Sequence, residues 1–374
     1  MNPELTQITA WSLRSYANRA ESATAAVGVD GFVDEIIRIV NKRSSLTEYT
    51  QVERISDFAA RISAASGQST NIELIVQQVK LGGNGPIMAN ALAALGADVT
   101  CIGPLGASSI HPAFAELATR AKLISLGDPG HTDALEFDDG KVMLGKLQTL
   151  EDVTWDSLIS AIGADATKSL LTESSLVALV NWTMIPAMND IWSHALEVLE
   201  SAAPSGRRFF FDLADPEKHD DASVKAACLL LSKFQKHGSV ILGLNEKEAY
   251  RVAQALGYGG QGFGREHVRA VAAHISKLLP IETVVVHPRA YALTASNGKV
   301  TSDVDGPFTD NPKISTGAGD HFNAGFCAGK LAGLADDQAT TVGVGTSGYY
   351  VRNAASPTLS QLAEFLEAQA SGGR

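Results

Sequence analysis

One carboxylate stands directly behind a turn of small residues in the C-terminal part of the chain. Residues 313–326 read KISTGAGDHFNAGF, so Asp320 follows Gly317-Ala318-Gly319 and a helix-forming run begins at once. The first N–H groups of a helix lack partners, and the helix dipole adds partial positive charge there. The pattern therefore predicts an anion site beside an ionised Asp320. Asp320 could accept a hydroxyl proton while these N–H groups stabilise a transferring phosphoryl group. Alternatively, Asp320 is only an N-cap in a tight turn.

A second glycine cluster lies in the N-terminal third, where residues 81–106 read LGGNGPIMANALAALGADVTCIGPLG. Gly82 and Gly83 would let a ligand approach the backbone closely, Pro86 suits the first turn of a helix, and Gly96 suits its end. The cluster is neither a dinucleotide-binding G-x-G-x-x-G nor a phosphate-binding loop with G-K-[ST]. An ordinary loop remains the alternative.

The elements that must position these clusters alternate along the chain. Short runs that are apolar on both parities predict strands buried on both faces. Amphipathic segments between them predict helices, so we expect a mostly parallel sheet with helices on both sides, a three-layer α/β/α fold. The tail from residue 320 to about 370 reads as helices alone. The predicted strands are 23–29, 98–103, 176–182, 208–213, 239–244 and 283–288, and the predicted helices include 87–95, 190–202, 223–237 and 265–279.

Three segments alternate between polar and apolar residues more clearly than the rest. These segments, 32–40, 73–81 and 132–147, predict half-buried strands, the last of them a hairpin around a DDG turn. They would form a small separate sheet, or lid, within a single domain spanning 1–374. Helical patterns at 1–22 and 47–65 have no assigned role.

Composition and charge narrow the function classes. The chain has 374 residues, 19% charged and 45% hydrophobic, as in an ordinary folded protein. Its net charge of −11 argues against nucleic acid or an anionic membrane surface as partners. Three separated cysteines argue against a disulfide framework and suit the cytoplasm. We see no signal-peptide pattern at the N-terminus and no run long enough for a spanning helix, so a cytoplasmic location is expected.

Together the two glycine clusters resemble those of the ribokinase-like (PfkB) carbohydrate kinases, which have a G-G stretch early and a G-A-G-D stretch late. The resemblance extends over nearly the whole chain. Residues 28–36 (GVDGFVDEI) are similar to the family's first strand, and 351–362 (VRNAASPTLSQL) resemble its closing stretch. Asn245 and Glu248 match the family's N-x-x-E motif within GLNEKEA.

The resemblance implies a ribokinase-like fold and transfer of the γ-phosphoryl group of ATP to a hydroxyl of a sugar. Asp320 would be the general base, and the N–H groups of residues 317–319 the anion hole. Asn245 and Glu248 would organise Mg²⁺ and phosphate through water, and no direct metal ligand set is identified. Thr316 and Arg289 are expected on the nucleotide side.

On the acceptor side, Asp30 and Asp34 have the four-residue spacing of polar substrate contacts in adenosine-kinase-like members. The other expected substrate contacts are Gly82, Gly83, Asn84 and Asn181. The chain departs from the family where Ile314 replaces an Asp associated with a monovalent cation, which removes the basis for expecting potassium activation. It also departs where His287-Pro288-Arg289 replaces the glycines of the nucleotide loop.

Two alternatives stay open on function and one on assembly. The same fold serves nucleoside kinases, and a non-catalytic ligand-binding member would share it as well. The alternating strands are compatible with a homodimer through the lid sheet. They are equally compatible with a monomer in which the 47–65 helix covers that sheet.

Overall fold

The structure is a computed structural model that describes residues 1–17, 23–203 and 206–372. The helical pattern expected over 1–22 is a helix from Pro3 to Ala17, and residues 18–22 lie outside the described part. None of the described helices is both long and apolar enough to cross a bilayer.

Strands occupy all six segments predicted for the main sheet and the three predicted outside it. The strands are β1 (Thr24–Gly28), β2 (Phe32–Arg43), β3 (Tyr49–Gln51), β4 (Leu74–Gly82), β5 (Asp98–Gly103), β6 (Lys122–Ser125), β7 (Gly130–Phe137), β8 (Gly140–Lys146), β9 (Leu176–Val180), β10 (Arg208–Asp212), β11 (Ser239–Leu244), β12 (Thr283–Val286), β13 (Tyr291–Ser296) and β14 (Lys299–Asp305).

The main sheet runs in the order β14-β13-β12-β11-β10-β9-β1-β5-β6. Its strands from β12 to β6 are parallel, and β13 and β14 add an antiparallel hairpin at one edge. Sequence reasoning did not predict this hairpin, because only a nucleotide loop was expected after residue 288. Chain order reverses at β1, which lies between β5 and β9. Open α/β sheets bind ligands at such a switch point, beyond the carboxyl ends of the strands.

Helices cover both faces of the main sheet, so the predicted three-layer arrangement is confirmed. Alternate strand residues face opposite sides: Phe209 and Phe211 pack with α7 to α10, whereas Phe210 packs with the helices of the other face. The helices are α1 (Pro3–Ala17), α2 (Ile55–Ala64), α3 (Asn84–Ala94), α4 (Ala115–Ala118), α5 (Trp155–Ile162), α6 (Ala164–Glu173), α7 (Met188–Glu200), α8 (Asp221–Ser232), α9 (Glu246–Ala255), α10 (Arg265–Leu278), α11 (Ala318–Leu331), α12 (Asp336–Asn353) and α13 (Leu359–Ala370).

A small sheet of β3, β2, β7, β8 and β4 stands apart from the main one, as predicted. The long strand β2 pairs with β4 on one side and with β7 and then β3 on the other. The prediction of one helix over 47–65 is wrong in its first part. Residues 49–51 form β3, which pairs with the end of β2, and the helix α2 begins only at Ile55. Ile55 and Phe58 of α2 pack on one face of the sheet.

Glycine allows α11 and α12 to approach closely, which fixes the helix that carries Asp320. A Cβ at Gly325 would lie 2.3 Å from the Thr346 Oγ1 atom and 2.8 Å from the carbonyl oxygen of Val342. Such a contact is far shorter than van der Waals distance, so any side chain at residue 325 would push the two helices apart.

We therefore expect Gly325→Ala to destabilise the fold by about 1–3 kcal/mol, the usual effect of overpacking a core. The measurement is the free energy of unfolding in denaturant. Gly259→Ala is the matched control, because a Cβ at Gly259 meets no atom within 4 Å. Equal stability of the two variants would contradict this account of the packing.

Candidate active site

Asp320 is the third residue of α11, and the structure excludes its interpretation as an N-cap. The capping position belongs to Gly317, whose φ of 88° is left-handed and favours glycine, and the helix has no side-chain cap. The Asp320 side chain is buried, with 9% of its surface exposed. The carboxyl group therefore has little contact with solvent.

The Asp320 carboxyl accepts a hydrogen bond from Asn84, with 2.9 Å between Nδ2 and Oδ1. Burial raises its pKa to about 8, the Asp30 carboxylate adds to the rise, and the Asn84 bond opposes it. Burial therefore opposes the ionised form that the helix dipole favours, so the ionised state expected for Asp320 stays a prediction.

The backbone around residues 317–319 supplies most of the expected free donors. In the described part of the chain, the N–H groups of Gly317 and Gly319 have no backbone acceptor. The N–H of Ala318 is an exception, because it donates to the Ser315 carbonyl at 3.2 Å. The two donors that flank Ala318 at this helix N-terminus remain suited to an anion.

Two aromatic side chains hold this loop in place. Nδ1 of His321 lies 2.7 Å from the Gly317 carbonyl oxygen, which can only accept, so Nδ1 carries the proton. Its Nε2 then accepts from Ser356 at 2.8 Å. The Tyr350 hydroxyl donates to the Thr316 carbonyl at 2.9 Å, and its ring stacks on His321 with centroids 3.6 Å apart. Burial lowers the pKa of His321 to about 4, so the ring stays neutral.

Asp30 is fully buried at the end of β1, and three donors surround its carboxylate. The backbone N–H of Gly85 and of Asn84 lie at 2.7 and 2.9 Å, and the Asn181 amide at 2.7 Å. A Cβ at Gly83 would come within 2.9 Å of this carboxylate. Asp30 therefore holds the loop from which Asn84 reaches Asp320.

Asp34, on β2 of the small sheet, lies beside the same glycine loop. It is 5% exposed, and a Cβ at Gly82 would lie 2.4 Å from its carboxyl group, so a side chain at residue 82 would displace that carboxyl group. Burial raises the pKa of Asp34, while Lys80 and a hydrogen bond from Thr132 lower it. The predicted substrate residues Gly82, Gly83, Asn84, Asp30 and Asp34 thus lie together.

Asn181 follows β9 in a left-handed conformation with φ of 64°. Its amide donates to Asp30, but its Oδ1 is buried and has no partner among the described residues. A buried acceptor without a partner is costly unless a ligand supplies a donor. Asn181 is therefore suited to accept a hydrogen bond from a ligand hydroxyl.

Two more buried carboxylates, Asp212 and Glu248, lie on the other side of Asp320. Asp212 accepts from the Ala214 N–H and from Asn323, each at 2.8 Å. Glu248 and Asn245 form the capping box of α9, with each side chain bonded to the other's N–H at 2.8 and 2.9 Å. Burial raises the pKa values of both Asp212 and Glu248. The charge of Asp320 adds to the rise at Asp212, and the charge of Asp212 adds to the rise at Glu248. Carboxylate oxygens are ligands that Mg²⁺ prefers, so Asp212 and Glu248 are chemically suited to such an ion.

A cleft of about 390 Å³ opens at the N-terminus of α11. Arg289 is exposed on its wall. Thr316 does not line this cleft, and its Oγ1 accepts from Lys141 at 2.5 Å instead. The lining of the cleft includes Asn245, His287, Arg289, Phe308, Ala318 and Gly319.

Several residues of the site were missed from sequence. The sequence does mark Asp212, because this carboxylate ends a strongly apolar strand. The other residues belong to no motif, and only the folded structure brings them to the site. The missed residues are Lys80, Lys141, Asp212, His321, Asn323 and Tyr350.

Another cluster of side chains that could ligate a metal lies on the face of the small sheet opposite to Asp34. Glu35, His131 and Asp133 bring their ligand atoms within 4.8 Å of one another. Lys146 already lies 2.9 Å from the Asp133 carboxylate, so a cation balances this group.

Comparison with known proteins covers almost the whole chain. A family model described as prokaryotic ketohexokinase matches residues 6–369. A ketohexokinase from Haloferax volcanii is 29% identical over 355 residues, which cover 94% of this chain and 92% of the relative.

Solved structures agree on the fold. A ribokinase from Arabidopsis thaliana, complexed with ribose and ATP, superposes with a TM-score of 0.64 at 16% identity, covering 93% of this chain and 99% of that one. A ribokinase from Cryptococcus neoformans in complex with ADP gives 0.63 at 18% identity, covering 92% and 99%. These likenesses confirm the predicted ribokinase-like fold.

The raised pKa of Asp320 is testable without any ligand. In ¹³C NMR of carboxyl-labelled aspartate, the Asp320 resonance, assigned by its loss in Asp320→Asn, should titrate near pH 8. Asn84→Ala should move that pKa still higher, because Asn84 stabilises the ionised form. Titration near 3.8, the ordinary value, would show that burial does not control this group.

Proposed function

The chain belongs to the prokaryotic ketohexokinase family of ribokinase-like carbohydrate kinases, and on this premise we propose that its acceptor is a free ketohexose. It is a sugar kinase that uses ATP, a phosphotransferase with an alcohol group as acceptor. The observation that carries the choice of acceptor is the family match over residues 6–369. This match favours a sugar over the nucleoside that the fold alone would also allow.

Asp320 is the general base in this proposal. The acceptor hydroxyl gives its proton to the Asp320 carboxylate while its oxygen bonds to the γ-phosphorus, and the bond from that phosphorus to the bridging oxygen breaks to release ADP. Asn84 supports this role because its amide orients the carboxyl at 2.9 Å. A base with a pKa of about 8 is well matched to neutral pH.

The nucleotide occupies the 390 Å³ cleft in this proposal, with its γ-phosphoryl group at the N-terminus of α11. The unpaired N–H groups of Gly317 and Gly319 support an anion hole there. Since His321 and Tyr350 fix the loop before the reaction, these donors need little reorganisation in the transition state. Arg289 and Asn245 are proposed contacts on the nucleotide side.

The sugar lies between the main and small sheets in this proposal, against Gly82 and Gly83. Asp34 and the unpartnered Oδ1 of Asn181 accept hydrogen bonds from its hydroxyl groups. Asp30 acts indirectly, since its carboxylate already has three donors and its burial leaves no exposed surface. The small sheet is then a lid that excludes water from ATP.

Mg²⁺ is proposed to lie beside Asp212 and Glu248, which would hold it through water. Both carboxylates are buried and repel one another, so a divalent cation would relieve a real electrostatic cost. Bound there, the ion would neutralise charge on the phosphate oxygens of ATP.

We also propose that two copies pair through the outer face of the small sheet. Apolar side chains with 43–47% of their surface exposed lie on this face, on β4 and β8, beyond the part that α2 covers. Pairing would cover them together with the free edge of β4. The side chains are Leu74, Val76, Val79 and Leu144.

Asp320→Asn should lower kcat by about 10²–10⁴-fold, because the variant cannot accept the hydroxyl proton. Binding of ATP should change little, since the backbone donors remain. The assay is ADP release with Mg²⁺ and ATP across ketohexoses, aldohexoses, sugar acids, sugar phosphates and nucleosides. Asp337→Asn, an exposed site, is the matched control. Near wild-type turnover of Asp320→Asn would sink its assignment, and a preferred acceptor other than a ketohexose would overturn the substrate proposal.

Light scattering tests the assembly. The wild-type protein should have twice the mass of the chain, and Val79→Glu should shift it to the monomer by placing a charge in the interface. Leu229→Glu, which alters an equally exposed apolar residue on α8, should remain dimeric. A wild-type monomer would refute the proposed pairing.

A further inference from the structure

A cluster of three side chains on the outer face of the small sheet combines an imidazole with two carboxylates. Glu35 of β2 lies directly opposite Asp133 of β7, and His131 lies two residues before Asp133 on the same strand. Side chains alternate along a strand, so all three project from the face opposite to Asp34. Their potential ligand atoms lie within 4.8 Å of one another. Because the cluster is built on two paired strands rather than on a loop, the strand register fixes its spacing.

His131 lies at the centre of this cluster. Its Nε2 atom is 3.4 Å from a carboxylate oxygen of Glu35 and 3.5 Å from a carboxylate oxygen of Asp133. A tetrahedral metal ion with bonds of about 2.0–2.2 Å to nitrogen and oxygen holds its ligand atoms about 3.3–3.6 Å apart. Both observed separations fall within that range, so the imidazole and the two carboxylates are already spaced as ligands of one ion.

The surroundings of the cluster leave its negative charge poorly compensated. Val79 on β4 lies opposite Glu35, Leu144 on β8 lies opposite Asp133, and each of these apolar side chains is 47% exposed. Within the described part of the chain, Glu35 has no lysine or arginine at ion-pair distance, and its one such partner is His131. Two carboxylates on adjoining strands repel each other, and apolar neighbours screen that repulsion poorly. A cation bound by both carboxylates would remove it.

Lys146 supplies only part of the missing positive charge. Its Nζ atom lies 2.9 Å from the Asp133 carboxylate, but 62% of its side chain is exposed. Exposed ion pairs contribute little to stability, so a metal ion can displace this ammonium group without disturbing the fold. Lys146 is therefore a competitor for Asp133 rather than a substitute for a metal.

We propose that Glu35, His131 and Asp133 form a binding site for a divalent transition metal such as Zn²⁺, with water as the fourth ligand. The mixture of nitrogen and oxygen donors suits such an ion, whereas Mg²⁺ and Ca²⁺ prefer oxygen ligands alone. Because it faces away from Asp34, the site is separate from the buried carboxylates around Asp320. All three ligands come from one chain, so the site depends neither on the sugar-kinase function nor on the pairing of two copies.

The first test is equilibrium dialysis against Zn²⁺ at neutral pH, with excess Mg²⁺ present to fill sites made of carboxylates alone. We expect one Zn²⁺ per chain to bind through this cluster, and His131→Asn should raise the Kd at least about tenfold because a direct ligand is lost. His194→Asn is the matched control, since His194 lies 3.4 Å from Asp190 but has no second carboxylate at ion-pair distance among the described residues. Absence of Zn²⁺ binding by the wild-type protein, or an equal Kd in His131→Asn, would overturn the proposal.

Lys146→Met tests the competition for Asp133. Removing the ammonium group frees the Asp133 oxygen, so the Kd of Zn²⁺ should fall by about threefold, the size expected for one exposed ion pair. A misfolded variant could not show such a gain in affinity. An unchanged or higher Kd in Lys146→Met would show that Asp133 is not a ligand.

Co²⁺ gives a spectroscopic readout of the same site. A four-coordinate Co²⁺ ion absorbs visible light much more strongly than hydrated Co²⁺, because its geometry differs. We expect this absorption in the wild-type protein and its loss in both Glu35→Gln and His131→Asn. The same spectrum in all three proteins would place the metal elsewhere and refute the proposed site.

Discussion

The crowding of buried carboxylates at the carboxyl edge of the main sheet is the constraint on which the rest of this structure depends. Asp30, Asp212, Glu248 and Asp320 are all buried at the carboxyl edge of the main sheet, and burial raises the pKa of each. Buried negative charge is stable only where donors or cations surround it. Every neighbouring feature answers that need, from the N–H groups around Asp30 to Lys80 and Lys141 of the small sheet.

The scaffold meets this need by placing strand ends and helix starts side by side. β1, β9, β10 and β11 are parallel, so the polar residues that follow them meet at one edge. The N-terminus of α11 enters the same space because its glycines let it pack tightly on α12. The small sheet lies against the same region, with Lys141 of β8 bonded to Thr316 just before α11.

Much of the fold, and the position of Asp320 at a helix start, were predictable from the sequence. Runs of buried β-branched residues predict the parallel strands, and the small-residue turn before Asp320 predicts the start of α11. The raised pKa of Asp320 was not predictable, because it depends first on the burial of Asp320 itself and then on the nearby charges of Asp30 and Glu248. Lys80 and Lys141 carry no motif. Their meaning arises only from the register of the small sheet, which turns both toward Thr316 and Asp320. Predicting these features would require knowing which face of that sheet is inward.

A crystal structure with Mg²⁺, ADP, aluminium fluoride and a ketohexose tests the central claim most directly, because the fluoride complex stands in for the transferring phosphoryl group. The account predicts that this group lies on the N–H donors of Gly317 and Gly319, with the attacking sugar oxygen about 2.6–3.2 Å from the Asp320 carboxyl. A sugar oxygen that approaches the phosphorus from a position beyond reach of Asp320 would contradict it.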